Sequence, residues 1–346
     1  FKFGFWAVLY TAWVIWLGNF WWLFGPVVVF DLHITKKVKW AFWRKTYKEG
    51  EKPNVLLEWL DAIIYAVIVV TFINMFFVQS FVIPTSSMEK SLMTGDYLFV
   101  GKLAYGPKVA ERPLSLPFVH NSLPNGSKSY SDLIKIDYRR LAGFSEVKRD
   151  DKVVFGFPHG DSVLQKCPTD DYYTHLRLNG KDYTHNTYGP VIVRPVDKKD
   201  NYVKRCVAIA GDTLQIIDGK VYVNGTPQKS HSGIQNTYTV VTNGTSINSK
   251  ILDDMDINPK EFWFDASLPG YRSIPLNEEN AAEIEKLANV VKVEQNIDSY
   301  PPDYPDSYLM IFPFSMDFPW TRDNYGPIYI PAKDASVDLN LTNLPI

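Results

Sequence analysis

Two long stretches of this chain carry no charge, and they constrain its fold more than any other feature. Phe3 to Phe30 is a run of 28 uncharged residues, FGFWAVLYTAWVIWLGNFWWLFGPVVVF. A bilayer-spanning helix needs about 20 apolar residues. Ala62 to Met88 is a second uncharged run, apolar enough to span as far as Ile83. Both exceed the apolar core of a cleaved signal peptide. A pair of buried core helices is the plainer reading. Against it, eight of the ten Trp fall within the first 60 residues, and Trp and Tyr flank the first run as they do at a membrane interface.

Between the runs lie Lys36, Lys37, Lys39, Arg44, Lys45, Lys48 and Lys52, whereas only Lys90 and Lys102 follow closely after the second. Positive charge favours the cytoplasmic side. The expected division is a first transmembrane helix over 1–31, a basic cytoplasmic loop over 32–60 and a second transmembrane helix over 61–83. Everything from Pro84 onward then lies on the periplasmic or extracellular side.

The exported part is no disordered tail, since 46% of the 346 residues are apolar. With 36 basic and 38 acidic side chains, the net charge of -2 leaves no electrostatic footprint for nucleic acid. Cys167 and Cys206 are too few for a disulfide scaffold or a four-Cys zinc site, and their pairing with each other stays open.

Short strands are expected at Tyr97–Val100, Lys152–Phe157, Asn201–Ala210, Leu214–Ile217 and Lys220–Val223. The last two flank Asp218-Gly219, a strong hairpin signal. Such spacing predicts a mainly antiparallel β, barrel-like domain over 84–226. Residues 227–346 are polar, turn-rich and rich in Tyr and Pro, and read as a mixed α+β insertion or cap. Its one clear helix is NEENAAEIEKLAN over 277–289, with Asn277 as N-cap.

Two segments suit chemistry as well as structure. Pro84-Thr85-Ser86-Ser87-Met88 ends the second apolar run with three hydroxyls. Alone, it reads as a helix-terminating turn, because Ser and Thr bind local backbone groups. In Tyr202-Val203-Lys204-Arg205-Cys206-Val207-Ala208, two cations sit inside an apolar strand. Alternation sends Lys204, Cys206 and Ala208 to one face and Arg205 and Val207 to the other. Lys204 either snorkels to solvent or is buried, and burial lowers a lysine pKa. A shift from ~10.4 to ~8 costs about 3 kcal/mol and yields a neutral amine able to deprotonate a Ser hydroxyl. No G-x-S-x-G elbow, H-E-x-x-H or phosphate-binding Gly loop competes with that arrangement, and none of the six His sits in a site motif.

At these residues the sequence resembles bacterial type I signal peptidase, the membrane-anchored enzyme that removes signal peptides from exported preproteins. PTSSMEKSLMTGDYLFVGKLAYG (84–106) is similar to the family's nucleophile box. KRDDKVVFGFP (148–158) resembles a strand usually written R-G-D-x-V-V-F, and NYVKRCVAIAGD (201–212) resembles the box carrying the general base. The likeness covers roughly 60–225, and from 227 onward it rests on position alone.

The resemblance implies Ser87 as nucleophile and Lys204 as general base. It implies the Thr85 hydroxyl and the Ser87 backbone N–H as oxyanion donors, and Phe81, Ile83, Tyr202 and Val203 as lining for pockets that take small substrate side chains. If the segment is extended, Ser86 points away from Thr85 and Ser87. Met88 and Asp212 fall on recurrent structural positions, and Arg205 follows the base. The implied partners are signal-peptide-bearing preproteins and the lipid bilayer of the cytoplasmic membrane, with no metal, cofactor or nucleic acid. The family's last box, G-D-N-R-x-x-S-x-D-S-R, is missing. Trp320–Pro327 offers only an R-D-N fragment and reads as a decoy, so the natural chain is expected to extend beyond both Phe1 and Ile346. The rival class is a non-catalytic, membrane-anchored peptide-binding or assembly protein, and a self-cleaving sensor is a third reading.

Overall fold

The computed structural model describes residues 2–40, 54–116, 119–229, 231, 233–265, 267, 269–341 and 343. The first apolar run does not form the single spanning helix expected over 1–31. Helix α1 (Lys2–Leu17) stops at Gly18, which takes a φ of 63°, a conformation that ends helices and favours glycine. The chain then turns through a 3-10 segment, Phe20–Phe24, and restarts in α2 (Gly25–Phe30), which has Pro26 in its first turn. It runs back along α1. The Phe3 and Phe30 rings are 5.4 Å apart, the Tyr10 hydroxyl donates to the Trp22 carbonyl at 3.0 Å, and a Cβ on Gly25 would lie 2.1 Å from the Tyr10 ring. The result is a helical hairpin.

Helix α3 (Val55–Phe76) is capped by the Asn54 side chain, which accepts from Leu56 N at 3.0 Å. Its 22 residues span about 33 Å at 1.5 Å per residue. Among the described residues it is the one helix long and apolar enough to cross a membrane, and its apolar window is not covered by the rest of the protein. It lies earlier than the expected 61–83 because Val78–Val82 is taken into a strand that pairs with Tyr97–Gly101. The C-terminal ends of α1 and α3 meet in an apolar cluster of Leu17, Phe76 and Leu141, with Trp13 and Trp16 packed on it. Arg44, Lys45, Lys48 and Lys52, four of the seven cations of the expected basic loop, lie outside the described residues.

Beyond α3 the strands are antiparallel but do not close into a barrel. Strand β1 (Val78–Val82) pairs with β2 (Tyr97–Gly101). Strand β3 (Lys152–Gly156) pairs with β6 (Asn201–Arg205), and β4 (Ser162–Leu164) pairs with β5 (Val191–Val193). Helices α4 (Tyr172–Asn179) and α5 (Lys181–Tyr188) lie between β4 and β5. Strands β7 (Thr213–Ile217), β8 (Lys220–Val223) and β9 (Thr226–Pro227) form a meander. The strands are short, and prolines follow β1 and β3 closely, at Pro84 and Pro158. A proline lacks the N–H that a ladder needs, so β1 and β3 end near these residues.

The second half is a four-stranded sheet, β11 (Trp263–Asp265), β12 (Gly270–Leu276), β10 (Asn236–Thr242) and β13 (Val290–Gln295), in that spatial order. Helices α6 (Ser249–Asp254) and α7 (Glu278–Glu285) pack on it around buried Val240, Leu252, Ile274, Leu276 and Ile284. Asn277 caps α7, accepting from Asn280 N at 2.7 Å. The chain then returns, and β14 (Tyr325–Tyr329) joins β7. The R-D-N fragment sits at this return: Asp323 O accepts from Gly219 N at 2.8 Å, and Asn324 Oδ1 accepts from Asp218 N at 3.1 Å. Cys167 and Cys206 are both free thiols.

Candidate active site

The hydroxyl-rich segment follows directly from strand β1. Its ladder with β2 runs one step beyond Val82, as Ile83 N donates to Asp96 O at 3.0 Å and Gly95 N donates to Ile83 O at 2.8 Å. A residue before proline is pushed to extended geometry, so Ile83-Pro84 carries the strand direction onward. Thr85 is still extended, at φ -136° and ψ 156°. Ser86–Met88 then coil into one 3-10 turn, and the extended path on which Ser86 would point away ends there. Met88, 9% exposed, anchors the turn from below. Glu89 N donates to Ser86 O at 2.8 Å, and Leu92 N donates to Met88 O at 2.7 Å.

The turn leaves the Thr85 and Ser87 side chains exposed, with their hydroxyl oxygens 3.3 Å apart. Lys204 reaches them from β6, where it pairs with Val153. Its Nζ is hydrogen-bonded to Ser87 Oγ, across 117 residues of sequence. Partial burial lowers the Lys204 pKa from its ordinary value through desolvation. An amine that loses its proton presents a lone pair to the Ser87 O–H. The pair therefore has the parts of a base-activated nucleophile, with a second hydroxyl alongside.

Of the other expected site residues, Tyr202 shares the Lys204 face of β6 by alternation, while Val203 lies on the opposite face. Tyr202 stacks on Phe157 with ring centroids 4.6 Å apart. Phe81 and Ile83 share one face of β1, Phe81 half-buried and Ile83 buried. Thr85, Ser87 and Lys204 are thus joined by direct contacts, and the four pocket residues stand on the two strands that carry them.

Three supports were not legible as such in the sequence. Arg205 Nη2 donates to Ser91 Oγ at 3.0 Å, a second tie between β6 and the turn after Ser87. Asp212 is buried and takes both the Arg149 guanidinium and Asn224 Nδ2, while its own turn closes when Ile209 N donates to it at 2.9 Å. The hydrogen bonds from the Arg149 guanidinium, more than any other contact, hold the Asp212 carboxyl well below the usual carboxylate range. Asp150, at the position of the Gly in R-G-D, has a φ of 72°, the left-handed region in which glycine is least strained. Strand β6 ends at Arg205 rather than Ala210, because Cys206 makes the last ladder bonds, to Asp150 N and Asp151 O, and the Asp212 turn begins soon after.

Lys90, with a φ of 62°, reaches the four-stranded sheet region, where its Nζ lies 3.1 Å from Asp256 Oδ2. The nearby Glu89 carboxyl is raised by burial and by Glu261 and Asp256. Among the described residues, no three His, Cys, Asp or Glu side chains are gathered as a metal site.

The model of the family described as signal peptidase, peptidase S26, matches residues 56–288. That match covers more than half of the chain. The chain belongs to this family. It is 24% identical over 177 residues to a signal peptidase I of Rickettsia massiliae (strain Mtu5), an alignment covering 51% of this chain and 46% of the relative. It is 32% identical over 147 residues to a signal peptidase I of Helicobacter pylori (strain J99 / ATCC 700824), covering 38% and 44%. A signal peptidase I of Rickettsia bellii (strain OSU 85-389) is 23% identical over 183 residues, covering 53% and 44%. The chain spans a little under half the length of these relatives. No solved structure matches it.

Proposed function

We propose that this member of the S26 family is a signal peptidase I, a serine endopeptidase that removes signal peptides at the outer surface of the cytoplasmic membrane. The observation that carries the reading is the bond between the Lys204 amine and the Ser87 hydroxyl, 117 residues apart in sequence. Neutral Lys204 takes the Ser87 proton as the oxygen attacks the carbonyl carbon after a small residue. The Thr85 hydroxyl and the Ser87 N–H receive the developing oxyanion. Protonated Lys204 then gives its proton to the leaving amine, and a water activated by the same lysine releases the acyl group.

An extended substrate fits this scaffold. Among the described residues β1 pairs only with β2, and β6 only with β3, so each keeps one edge open for strand addition. Phe81, Ile83, Tyr202 and Val203 serve as the pocket-lining candidates, Val203 through the far face of its strand. Helix α3 anchors the chain in the bilayer, with 84–226 and the returning β14 as catalytic core and the four-stranded sheet as a cap on it. The basic residues before α3 keep that end in the cytoplasm.

Cleavage of a purified preprotein in detergent tests the reading. Lys204→Met and Ser87→Ala each are expected to slow cleavage by about a thousandfold or more, within the range for losing a positioned base or nucleophile. Processing by either variant at the parent rate would refute the dyad.

A further inference from the structure

The chain between β4 and β5 builds a second recess on the ladder that carries Lys204. Helix α4 begins at Asp171, whose carboxylate accepts from Tyr173 N at 3.1 Å and from Thr174 Oγ1 at 2.7 Å, and lies 3.3 Å from His159 Nδ1. The helix thereby brings Tyr173 and Arg177 against the residues that follow β3. With Pro158, His159, Asp161 and Phe314 they line an open cavity of about 300 Å³. The Arg177 guanidinium lies 3.7 Å from the centre of the Phe314 ring, and its Nη2 donates to Thr174 Oγ1 at 3.1 Å. The Tyr173 and His159 rings meet edge to face at 5.2 Å.

Two polar atoms of this lining are left over. Arg177 Nε and Asp161 Oδ1 are both buried, and neither has a hydrogen-bond partner, whereas buried polar atoms are nearly always paired. One is a donor and the other an acceptor. The charges around the cavity leave no excess of either sign. Arg177 is offset by Asp161, Asp171 is engaged by its helix, Thr174 and His159, and the Lys199 amine is turned to Pro158 O at 3.0 Å. A neutral group that both donates and accepts, between aromatic walls, is what such a lining complements. A peptide unit and a carboxamide each offer a C=O for Arg177 Nε and an N–H for Asp161 Oδ1.

The recess is continuous with the strand of the base. Phe157 N donates to Asp200 O at 2.8 Å, its ring stacks on Tyr202 at 4.6 Å, and it lies 5.9 Å from the His159 ring. Val153 is the ladder partner of Lys204, and Pro158 comes five residues after it. That is ~16 Å of extended chain, so a strand added along β6 reaches the cavity about five residues from the bond being cut. We infer that the cavity between β3, α4 and Phe314 is an exosite for the preprotein, which takes one of its peptide units or an Asn or Gln carboxamide, with Arg177 and Asp161 as the specificity-determining residues. This deepens the proposed peptidase function and rests on it. The contact is remote from the reacting atoms, so it holds ground state and transition state alike and is felt in KM, not in kcat.

The test compares two substrates of the full chain in detergent: a purified preprotein, and a peptide with about three residues on each side of the same scissile bond, ~10 Å each way and too short to reach the cavity. Arg177→Met and Asp161→Leu are each expected to raise KM for the preprotein about tenfold with kcat unchanged, the size of effect for a lost hydrogen bond to a charged group. Neither should alter cleavage of the short peptide. Arg177→Lys keeps the cation over Phe314 but lacks the Nε–H, and should raise KM likewise with the fold least disturbed. In a Ser87→Ala background, which cannot cut, fluorescence anisotropy of the labelled preprotein should show the same tenfold weakening with Arg177→Lys. An unchanged KM for the preprotein in all three variants overturns the exosite and leaves the dyad standing. An equal rise for the short peptide shows that these residues act through the scaffold of the dyad, and also overturns it. No cleavage of either substrate by the parent chain overturns the peptidase reading and the exosite together.

Discussion

The cap sheet and the two ladders that carry Ser87 and Lys204 contain similar strands but are held by different forces. Strands β10 to β13 close over one apolar core, in which Val240, Ile274, Leu276 and Ile284 are fully buried. The β1–β2 and β3–β6 ladders have two strands each, too few to bury a core between them. They are joined by polar side chains, Lys204 to Ser87 and Arg205 to Ser91, while Arg149 to Asp212 braces the β3–β6 ladder at its end. Regions built on apolar packing should fail by melting, and regions built on polar ties should fail first in function. The open architecture also leaves strand edges beside the site, which a sealed barrel would not.

The widest separation between the two regions should appear in pH dependence. The proposed base works only when neutral, so cleavage should rise about tenfold per pH unit on the acid limb. Because burial lowers the Lys204 pKa, the limb should level off below the ~10.4 of a free lysine. A rate profile flat across that limb, with the fold intact, would break the comparison. In the cap, Ile284→Ala should cost about 2–5 kcal/mol of stability, the usual range for emptying a buried aliphatic site. Denaturant unfolding measures it, and a loss near zero would mean that this core does not carry the cap.

Asp212→Asn sharpens the same contrast on the catalytic side. Asp212 has its folded pKa depressed by Arg149, so its stabilising contribution is present above the unfolded value of ~3.9 and is lost as pH falls below it. The variant should melt lower at neutral pH and show a shallower fall in Tm on acidification than the parent. Identical acid limbs would show that the ion pair contributes nothing. The smallest effect is expected at Asp150→Gly. Relief of left-handed strain outweighs the added chain entropy by about 0.5 kcal/mol, measurable as a small rise in Tm.

What could be read from the sequence follows the range of the interaction. The Asp218-Gly219 turn is local: both residues have positive φ, 47° and 76°, as the hairpin between β7 and β8 requires. Asn277 and its helix are equally local. The approach of Lys204 to Ser87 is not, and only the order of the resembling boxes pointed to it, since each segment alone had an ordinary structural explanation. The break at Gly18 was hidden by the uniform apolarity around it, where spanning length outweighed a single Gly-Asn pair. Barrel closure is a matter of long-range registry that strand spacing does not encode. The return of β14 to β7 was masked by the composition of the segment around it, which matches the preceding insertion. Ser91 carried no signal beyond being one more hydroxyl in a run.

The fold-back at Gly18 decides where the charges that flank the first apolar run lie. With Phe3 against Phe30, Lys2 is brought to the same end of the hairpin as Lys36, Lys37 and Lys39. The cations at both ends of the first apolar run are thereby gathered on one side of the hairpin. Its tip lies at the opposite end, where Leu17 meets Phe76 and Leu141 beside the C-terminus of α3.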